Sequence, residues 1–398
     1  MSEWISTTVG ALGKVITGKT PSKDNPEDWG NEYLFVTPSD YGSYNKYARY
    51  SLRGISDTGY QRHKVRVIPK DSCLVTCIGS DMGKVVKNAK DAFCNQQINA
   101  LIPNESIVHS DYAYYFFKDS AQLLKTLGSD GTAVPILNKS DFERIELALP
   151  SLPEQKAIAS VLSSLDDKID LLHRQNKTLE AMAETLFRQR FIEEAKEDWE
   201  EKTIGDIFTI KGGGTPSTKE PSYWDGGIAW TSPRDLSTAK SLFMFSTERT
   251  ITELGLSKVS SGLLPVETLL MSSRAPIGYL ALTEIEVAVN QGYIALLDHE
   301  LYNNRYMYLW CKANMELIKN SGNGSVFQEI SKASFRDLPF VCPPVELVEK
   351  FNILAKQWFA KIRVNAKQIQ TLEQLRDTLL PKLMSGEVRV QYQTEEVA

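Results

Sequence analysis

The stretch PEQKAIASVLSSLDDKIDLLHRQNKTLEAMAETLFRQR, residues 153–190, decides the fold of this chain. It contains no Gly or Pro after its first residue, and Pro suits the first helical position because the N–H that it lacks needs no partner there. Its apolar residues recur at alternating spacings of four and three, the repeat that keeps one helix face against a partner helix. This pattern predicts a coiled-coil helix; the alternative is a long amphipathic helix that lies on its own domain. The predicted seam consists of Leu165, Ile169, Leu172, Asn176, Leu179, Ala183 and Leu186.

A second helix with the same pattern is predicted at residues 346–384, ELVEKFNILAKQWFAKIRVNAKQIQTLEQLRDTLLPKLM. Its seam consists of Trp358, Ile362, Asn365, Ile369, Leu372 and Leu379, with Arg376 as a further polar member. We predict an antiparallel pair in which Asn176 meets Asn365, because a buried Asn pair fixes the register of a coiled coil. In that register small residues face large ones, as dense packing requires: Ala183 faces Trp358, and Ala355 faces Leu186.

The sequence also matches itself over nearly its whole length. At an offset of 195 the matches include Trp4 with Trp199, Thr20-Pro21-Ser22 with Thr215-Pro216-Ser217, Trp29 with Trp224, Asp40 with Asp235 and Asn95-Gln96 with Asn290-Gln291. After a net deletion of two residues the offset is 193, and the two long helices follow. The chain is therefore predicted to contain two copies of one unit, a globular domain followed by a long helix. The predicted boundaries are 1–152, 153–198, 199–343, 344–386 and a tail at 387–398.

The two copies differ most between residues 41–68 and their counterpart at this offset, residues 236–263, which share almost no identities. Because the flanking segments match without gaps, we interpret the difference as selected, one task carried out twice on different targets. Divergent loops without a function are the alternative.

Each globular copy mixes short strand-like and helix-like segments. Runs such as 33–37, 72–78, 98–102 and 293–297 predict strands, and residues 111–127 and 303–319 predict helices. The fold class is therefore α+β, with two pseudo-symmetric α/β globular domains separated by two long helices that pack as an antiparallel coiled coil.

Composition favours a soluble cytoplasmic protein. The 398 residues contain no apolar run of the length that crosses a membrane, and the start MSEWISTTVG lacks the basic and apolar regions of a secretion signal. Five scattered cysteines indicate reduced thiols. The formal net charge is −5, yet residues 46–90 hold ten Lys or Arg against three Asp, so one face is predicted to be basic.

No motif in the sequence predicts catalysis or metal binding. The glycine-rich segment 211–217 lacks the Gly-Lys-Ser/Thr ending of a phosphate loop, and the Cys342-Pro-Pro-Val turn lacks the Asn or Asp of an amino-methyltransferase. Residues Asp141 to Lys156 fit a nuclease pattern loosely, but the Glu and Lys open a helix instead of lying on a strand. The four histidines are far apart in sequence. We therefore expect a protein that is not an enzyme and has no cofactor of its own.

The segments that differ between the copies carry the side chains that DNA-binding proteins use. Lys and Arg neutralise phosphates, and Arg can also read base edges in the major groove. A solvated basic loop whose tyrosines cover the core is the alternative. The candidate DNA contacts are Thr37, Ser39, Tyr44, Lys46, Arg49, Tyr50, Arg53, Arg62, His63 and Lys64 in the first copy, and Ser232, Arg234, Lys240, Arg249, Lys258, Ser273 and Arg274 in the second.

The duplicated domain–helix organisation resembles the specificity subunit of type I restriction-modification enzymes over nearly the whole chain. The residues that carry the resemblance are Gly18–Ser22 with Gly213–Ser217, Tyr223–Trp230, Leu149–Gln155 and Leu379–Val388. The first copy departs from the Tyr-Trp-x-Gly pattern at residues 28–32, and the second lacks the Glu-Gln pair after its Pro-Pro.

The resemblance implies a non-catalytic DNA reader, in which each target recognition domain reads half of a bipartite double-stranded site and the helices set the spacing. It also implies two modification subunits that use S-adenosylmethionine, and restriction subunits that use ATP and Mg. The outward helix faces, with Lys168, Arg174, Lys177, Glu180 and Glu184, are expected to dock these partners. The alternative function is a duplicated protein-interaction scaffold without DNA binding.

Overall fold

The computed structural model describes residues 4–43, 46–128, 135–274, 276–322 and 328–391. The contacts between residues divide the chain into two compact units, residues 1–171 with 370–398, and residues 172–369. Both long helices therefore contribute to both units. Within the described ranges, no helix is long and apolar enough to cross a membrane.

The first globular part is built on short strands with small helices between them. Its strands are β1 (Ile5–Thr8), β2 (Gly13–Thr17), β3 (Trp29–Gly30), β4 (Tyr33–Val36), β5 (Tyr47–Ala48), β6 (Arg53–Ile55), β7 (Cys73–Thr76), β8 (Val85–Asn88), β9 (Ala92–Cys94), β10 (Ile98–Pro103) and β11 (Glu146–Leu149). Its helices are α1 (Asp57–His63), α2 (Ser110–Asp119), α3 (Ala121–Gly128) and α4 (Lys139–Glu143). The main sheet has the order β2–β10–β7–β8–β5, a smaller sheet has the order β3–β6–β4–β9, and β1 pairs with β11.

After the first long helix, α5 (Leu152–Arg188), the second globular part repeats this arrangement. Its strands are β12 (Glu200–Thr203), β13 (Ile210–Lys211), β14 (Trp224–Thr231), β15 (Phe243–Met244), β16 (Arg249–Ile251), β17 (Leu269–Ser272), β18 (Leu280–Thr283), β19 (Ala288–Val289), β20 (Tyr293–Leu296) and β21 (Pro339–Cys342). Its helices are α6 (Ile204–Ile207), α7 (Pro233–Ser237), α8 (Glu253–Leu256), α9 (Asn304–Ala313), α10 (Met315–Asn320) and α11 (Lys332–Arg336), before the second long helix α12 (Val345–Met384). The sheets β13–β20–β17–β18–β15, β16–β14–β19 and β12–β21 correspond one to one with those of the first part.

The two long helices that the periodicity of the sequence predicts are confirmed. α5 begins one residue before Pro153 and continues into a π-helical turn at Gln189–Glu193, and α12 spans 345–384. In the second unit Nδ2 of Asn365 donates a hydrogen bond to Oδ1 of Asn176 at 2.9 Å. Further along, the ring of Phe187 lies 5.7 Å from that of Phe351. Numbers that rise on α5 fall on α12, so the antiparallel Asn pair is confirmed.

In the first unit the same antiparallel arrangement is held by an ion pair. Arg376 of α12 donates to Oδ1 of Asp166 on α5 at 2.8 Å, and Asp166 is only 4% exposed. The Tyr115 hydroxyl donates to the other oxygen of Asp166 at 2.8 Å. Arg376, expected as a polar seam member, thus has a buried carboxylate partner that the seam prediction did not include.

The predicted seam is right in part and shifted by one residue elsewhere. Ile169, Leu172, Ala183, Ile362, Asn365 and Ile369 are buried as predicted, and Asn176 is half-buried. Leu165, Leu179, Leu186, Trp358, Leu372 and Leu379 are only half-buried, whereas Asp166, Phe187, Phe359 and Leu380 are buried. The reason is that each helix packs on its globular part as well as on its partner helix, which widens and turns the inward face relative to a strict seam.

Candidate nucleic-acid interface

The small sheet of each globular part places one arginine in the same position. Arg53 on β6 lies opposite Phe35 on β4, and Arg249 on β16 lies opposite Trp230 on β14. These pairs are related by an offset of 196 for the arginines and 195 for their partners. The prediction that 41–68 has almost no identity with its counterpart is therefore wrong in its second half, since the register is displaced by one residue. At the corrected offset Arg53, Ile55, Gly59 and Pro69 match Arg249, Ile251, Gly255 and Pro265.

The second copy has one extra residue, and two aspartates show where it lies. Asp40 accepts hydrogen bonds from the backbone amides of Thr37 at 2.8 Å and Leu52 at 3.1 Å. Asp235 accepts the equivalent bonds from Ser232 at 2.8 Å and Glu248 at 2.9 Å. The differing loops are therefore residues 41–51 and 236–247, and the second loop is one residue longer. We call them the variable loops.

Thr37, Ser39 and Ser232 lie just before the variable loops. The Thr37 hydroxyl lies 2.8 Å from Ser39 Oγ and 2.8 Å from Asp40 Oδ2. The backbone carbonyl of Ser232 accepts a bond from the Tyr293 hydroxyl at 2.6 Å. These hydroxyl residues shape the start of each variable loop.

Each arginine of the small sheet lies flat on a tryptophan. The guanidinium carbon of Arg53 is 3.6 Å from the centroid of a Trp29 ring, and that of Arg249 is 3.5 Å from Trp224. Both arginine residues are exposed. Trp29 and Trp224 were recognised in the sequence only as matching residues, and the displaced register concealed their shared partner.

Lys46 has a structural position instead of a place on the surface. Its ammonium lies 3.1 Å from Asp111 and 2.7 Å from the Ser163 hydroxyl on α5, and the side chain is 5% exposed. Lys87 approaches the same carboxylate at 2.5 Å. Burial alone would raise the pKa of Asp111, but Lys46 and Lys87 outweigh it and hold that pKa below its ordinary value. We therefore replace the prediction of a DNA contact at Lys46 with a role in the fold.

The second globular part has leucines at the positions of the two lysines. The backbone bond from Lys87 N to Lys46 O, 2.8 Å, recurs as Leu282 N to Leu242 O, also 2.8 Å. Two buried lysines of the first part thus correspond to two leucines of the second.

Arg62 and His63 are held by a buried acid. Arg62 donates to Asp28 at 2.6 Å and to Glu27 at 3.0 Å, and Nε2 of His63 lies 3.0 Å from Asp28. Asp28 is fully buried. Because an unpaired buried carboxylate is costly, these two residues stabilise the small sheet and are poor candidates for DNA contacts.

The remaining candidates vary in how accessible they are. Arg49 lies 3.4 Å from Asp170, Arg234 lies 3.8 Å from Glu248, and Arg274 lies 3.9 Å from Glu329. Ser273 is buried, which makes it a poor candidate for a direct DNA contact. Tyr44 lies outside the described residues. Tyr50, Lys64, Lys240 and Lys258 are exposed.

An apolar groove lies on the helix pair of the second unit. Its volume is about 610 Å³, and its lining comprises Lys177, Thr178, Ala181, Met182, Thr185, Leu186, Gln189 and Trp358. At an offset of 193, the positions of Trp358, Met182 and Leu186 correspond to Leu165, Leu375 and Leu379 of the first unit. Met182 and Leu375 are exposed to nearly the same extent, 46% and 45%. The two units therefore carry apolar side chains at equivalent positions of the long helices.

Two residues expected on the outward helix face also contact their own globular part. Glu180 and Glu184 lie 2.7 Å and 2.5 Å from Lys312 on α9, and the Tyr308 hydroxyl donates to Glu180. They attach the helix to its own globular part, while the Glu180 and Glu184 side chains remain 25% and 40% exposed. Their docking role stays a prediction.

All five cysteines lie in the described ranges and are free thiols. Cys73, Cys77, Cys94 and Cys311 are buried free thiols, and burial raises the pKa of Cys73, Cys77 and Cys311 to about 12. No group of three or more His, Cys, Asp or Glu side chains in those ranges is arranged to hold a metal ion.

Comparison with known proteins connects this architecture to a family. The family described as "Type I restriction modification DNA specificity domain" matches residues 1–181 and again residues 196–374. The type I restriction enzyme MjaIX specificity subunit of Methanocaldococcus jannaschii is 29% identical over 419 aligned residues, which cover 98% of this chain and 94% of that protein. The HindI specificity subunit of Haemophilus influenzae is 33% identical over 150 residues, 37% of this chain and 32% of that protein.

A solved structure shares the fold. The crystal structure of the type-I restriction-modification system S subunit from M. genitalium aligns with a TM-score of 0.61 at 19% identity and covers 96% of both chains. The two family matches fall on the two structural repeats and together span most of the sequence. The chain therefore belongs to the type I restriction-modification DNA specificity family and contains two copies of its domain.

Proposed function

We propose that this chain is the non-catalytic DNA-reading subunit of a type I restriction-modification complex. Each globular part reads one half of a bipartite, asymmetric site in double-stranded DNA. The observation that carries this proposal is the DNA specificity domain found twice in one chain, once on each structural repeat. The domain boundaries predicted from the sequence describe the two target recognition domains and two spacer helices in this proposal.

The variable loops carry the difference between the two half-sites. Residues 41–51 and 236–247 differ in sequence and length, while the aspartates that hold their ends are the same. Different side chains on equivalent scaffolds are suited to reading different bases, because base edges in the major groove present distinct donor and acceptor patterns. Tyr50 and Lys240 are the exposed members of these loops on which we base the test.

The helices set the spacing and bind the modification subunits. A helix of this length extends about 55 Å, which is longer than one DNA turn of about 34 Å. The similar apolar surfaces around Trp358 and Leu165 support two modification subunits per chain, one on each. Those partners supply S-adenosylmethionine chemistry on adenine, and restriction subunits supply ATP- and Mg-dependent translocation and cleavage.

The test is genome-wide mapping of methylated adenine in cells that express this chain with its modification subunit. We expect a bipartite motif with a fixed spacer that is lost when this chain is deleted. Tyr50→Ala should then change or relax one half of the motif, and Lys240→Ala the other half. Leu52→Ala, an exposed position just outside the first loop, is the control and should leave the motif unchanged.

If no motif depends on this chain, and the purified complex shows no salt-dependent binding to duplex DNA, the proposal is wrong. The duplicated scaffold would then be explained by protein binding alone. If the motif depends on the chain but the loop variants leave it unchanged, DNA reading stands and the assignment of the variable loops is wrong.

A further inference from the structure

We infer that Arg53 and Arg249 are equivalent contacts to the DNA phosphate backbone, which hold both half-sites in the same way and leave base reading to the variable loops. This inference rests on the proposed function. It starts from the fact that an arginine occupies the same position in the small sheet of both domains, although the neighbouring variable loops differ.

The hydrogen bonds around the two arginines are the same in both domains. The Ser51 hydroxyl donates to the backbone carbonyl of Arg53 at 2.5 Å, and the Thr247 hydroxyl donates to that of Arg249 at 2.7 Å. The residue before each arginine is bound by a buried or half-buried aspartate, as described above. The main chain that carries each arginine is thus fixed on both sides of the strand residue.

The tryptophan fixes the side chain as well. A guanidinium that lies flat on an aromatic ring keeps its N–H groups in the exposed plane, where they can donate two parallel hydrogen bonds to an oxyanion. Phosphate oxygens match this geometry, and charge-assisted bonds of this kind are the stronger ones. Because the side chain is already ordered, little rotamer entropy is lost when it binds.

The charge of these two arginines is also available. Within the described ranges no carboxylate lies within 4 Å of Arg53 or Arg249, whereas Arg62 and Lys46 are neutralised by Asp28 and Asp111. An exposed, ordered cation without an acidic partner beside a recognition loop is what a phosphate contact requires.

Phosphate is favoured over a base because the feature is common to both domains. Two half-sites of different sequence have the same phosphate backbone but different bases. A contact that is the same in both domains is therefore suited to the backbone. The inference therefore separates the two arginines from the variable loops in their effect on specificity.

The experiment uses the complex of the full chain with its modification subunit and two duplexes of equal length, one with the methylated motif and one without. Affinity is measured against salt for Arg53→Ala, Arg249→Ala and Arg53→Lys. Arg144→Ala is the matched control, because Arg144 is an exposed arginine beside Asp141 and removes the same charge. Thermal unfolding of each complex is measured in parallel.

Both alanine variants should bind both duplexes roughly 10-fold more weakly at 0.1 M salt, and each should reduce the slope of log K against log salt by about 0.9. Arg53→Lys should recover part of the slope, and the methylation motif should keep its sequence. Arg144→Ala should behave as the unmodified chain does.

Two results would overturn the inference. A changed base in the motif would make the arginine a base reader, and a lower unfolding temperature with an unchanged salt slope would make the stack structural. If the unmodified complex itself lacks salt-dependent binding, the proposed function fails, and the inference fails with it.

Discussion

The side-chain amide of Asn365 donates to Oδ1 of Asn176 at 2.9 Å in the helix pair of the second unit. Asn365 is fully buried, and its own oxygen has no partner among the described residues. A buried polar pair of this kind contributes more to register than to stability, because any other register leaves the amides unpaired.

We expect Asn365→Ala to lower the free energy of unfolding by about 1–3 kcal/mol, since Asn176 loses its partner. Replacing both residues by Leu should cost much less, because no polar group is then left unsatisfied. Urea unfolding of the two variants measures this difference, with the exposed Gln368→Ala as control. A double variant that is less stable than Asn365→Ala would contradict the explanation.

The ion pair of Arg376 with Asp166 gives a second prediction. Substitution of Arg376 by Ala leaves a carboxylate that is 4% exposed with Lys118, 3.6 Å away, as its remaining cation, which should cost about 1–3 kcal/mol. Asp377 binds the same guanidinium at 2.8 Å, but its side chain is 61% exposed. Asp377→Ala should therefore cost less than about 1 kcal/mol. Equal losses in the two variants would show that burial does not determine the effect.

The stability of the first unit should depend on Asp111 at acid pH. The two lysines lower the pKa of Asp111 in the folded chain, so the folded state holds this proton more weakly than the unfolded state does. The contribution is complete above the unfolded pKa, about 3.9, and is lost as the pH falls through the lower folded value.

Asp111→Asn should destabilise the chain at neutral pH and flatten its pH dependence below about pH 4. Chemical unfolding at a series of pH values measures both effects. The control is Asp81→Asn, which removes an exposed partner of Lys84. An Asp111→Asn chain with an unchanged acid profile would be evidence against the buried ion cluster.

Thiol labelling should separate the cysteines by burial. A thiol reagent at pH 8 reacts with the thiolate, and burial raises the pKa of Cys73, Cys77, Cys94 and Cys311 far above that pH. Cys342 is half-buried, and burial raises its pKa as well. We expect slow modification of Cys342 alone in the native chain and of all five thiols after unfolding. Fast labelling of a second thiol in the native chain would contradict this.

The apolar helix surfaces predict the stoichiometry of assembly. Met182→Glu and Leu375→Glu each place a charge on one of two equivalent exposed positions, so each variant should bind one modification subunit where the unmodified chain binds two. Native mass spectrometry counts the subunits. Val364→Glu, at a position on α12 that is 57% exposed and outside the groove, should leave the count unchanged. Two bound subunits in both groove variants would place docking elsewhere.

The fold could be predicted because its information is periodic and local. A spacing of four and three over 38 residues specifies a helix and its partner, and the match between Asp40 and Asp235 or Trp29 and Trp224 reveals the duplication. The pairing of Asn176 with Asn365 could be predicted because each helix has one Asn in its seam. The residues on the inward face could not be predicted exactly, since the heptad pattern does not specify where the globular part lies against each helix.

The candidate interface was predicted less well for two physical reasons. Lys46 and Arg62 look available in the sequence, but Asp111 and Asp28, which bind them, are 65 and 34 positions away and are brought close only by the fold. The Arg53–Trp29 stack was missed because one extra residue in the second variable loop displaces the register. Allowing a single gap at that loop would have aligned Arg53 with Arg249.

The lysine that anchors the first variable loop has an evolutionary consequence. Lys46 lies inside the loop, yet its partners Asp111 and Ser163 belong to α2 and α5, and the second domain has Leu242 at the same place. Recombination that replaced the loop alone would put an apolar residue against the half-buried carboxylate of Asp111 and leave that acid with one lysine fewer. New specificities can therefore be inherited most readily as a block that runs from the loop through α2 to the start of the long helix.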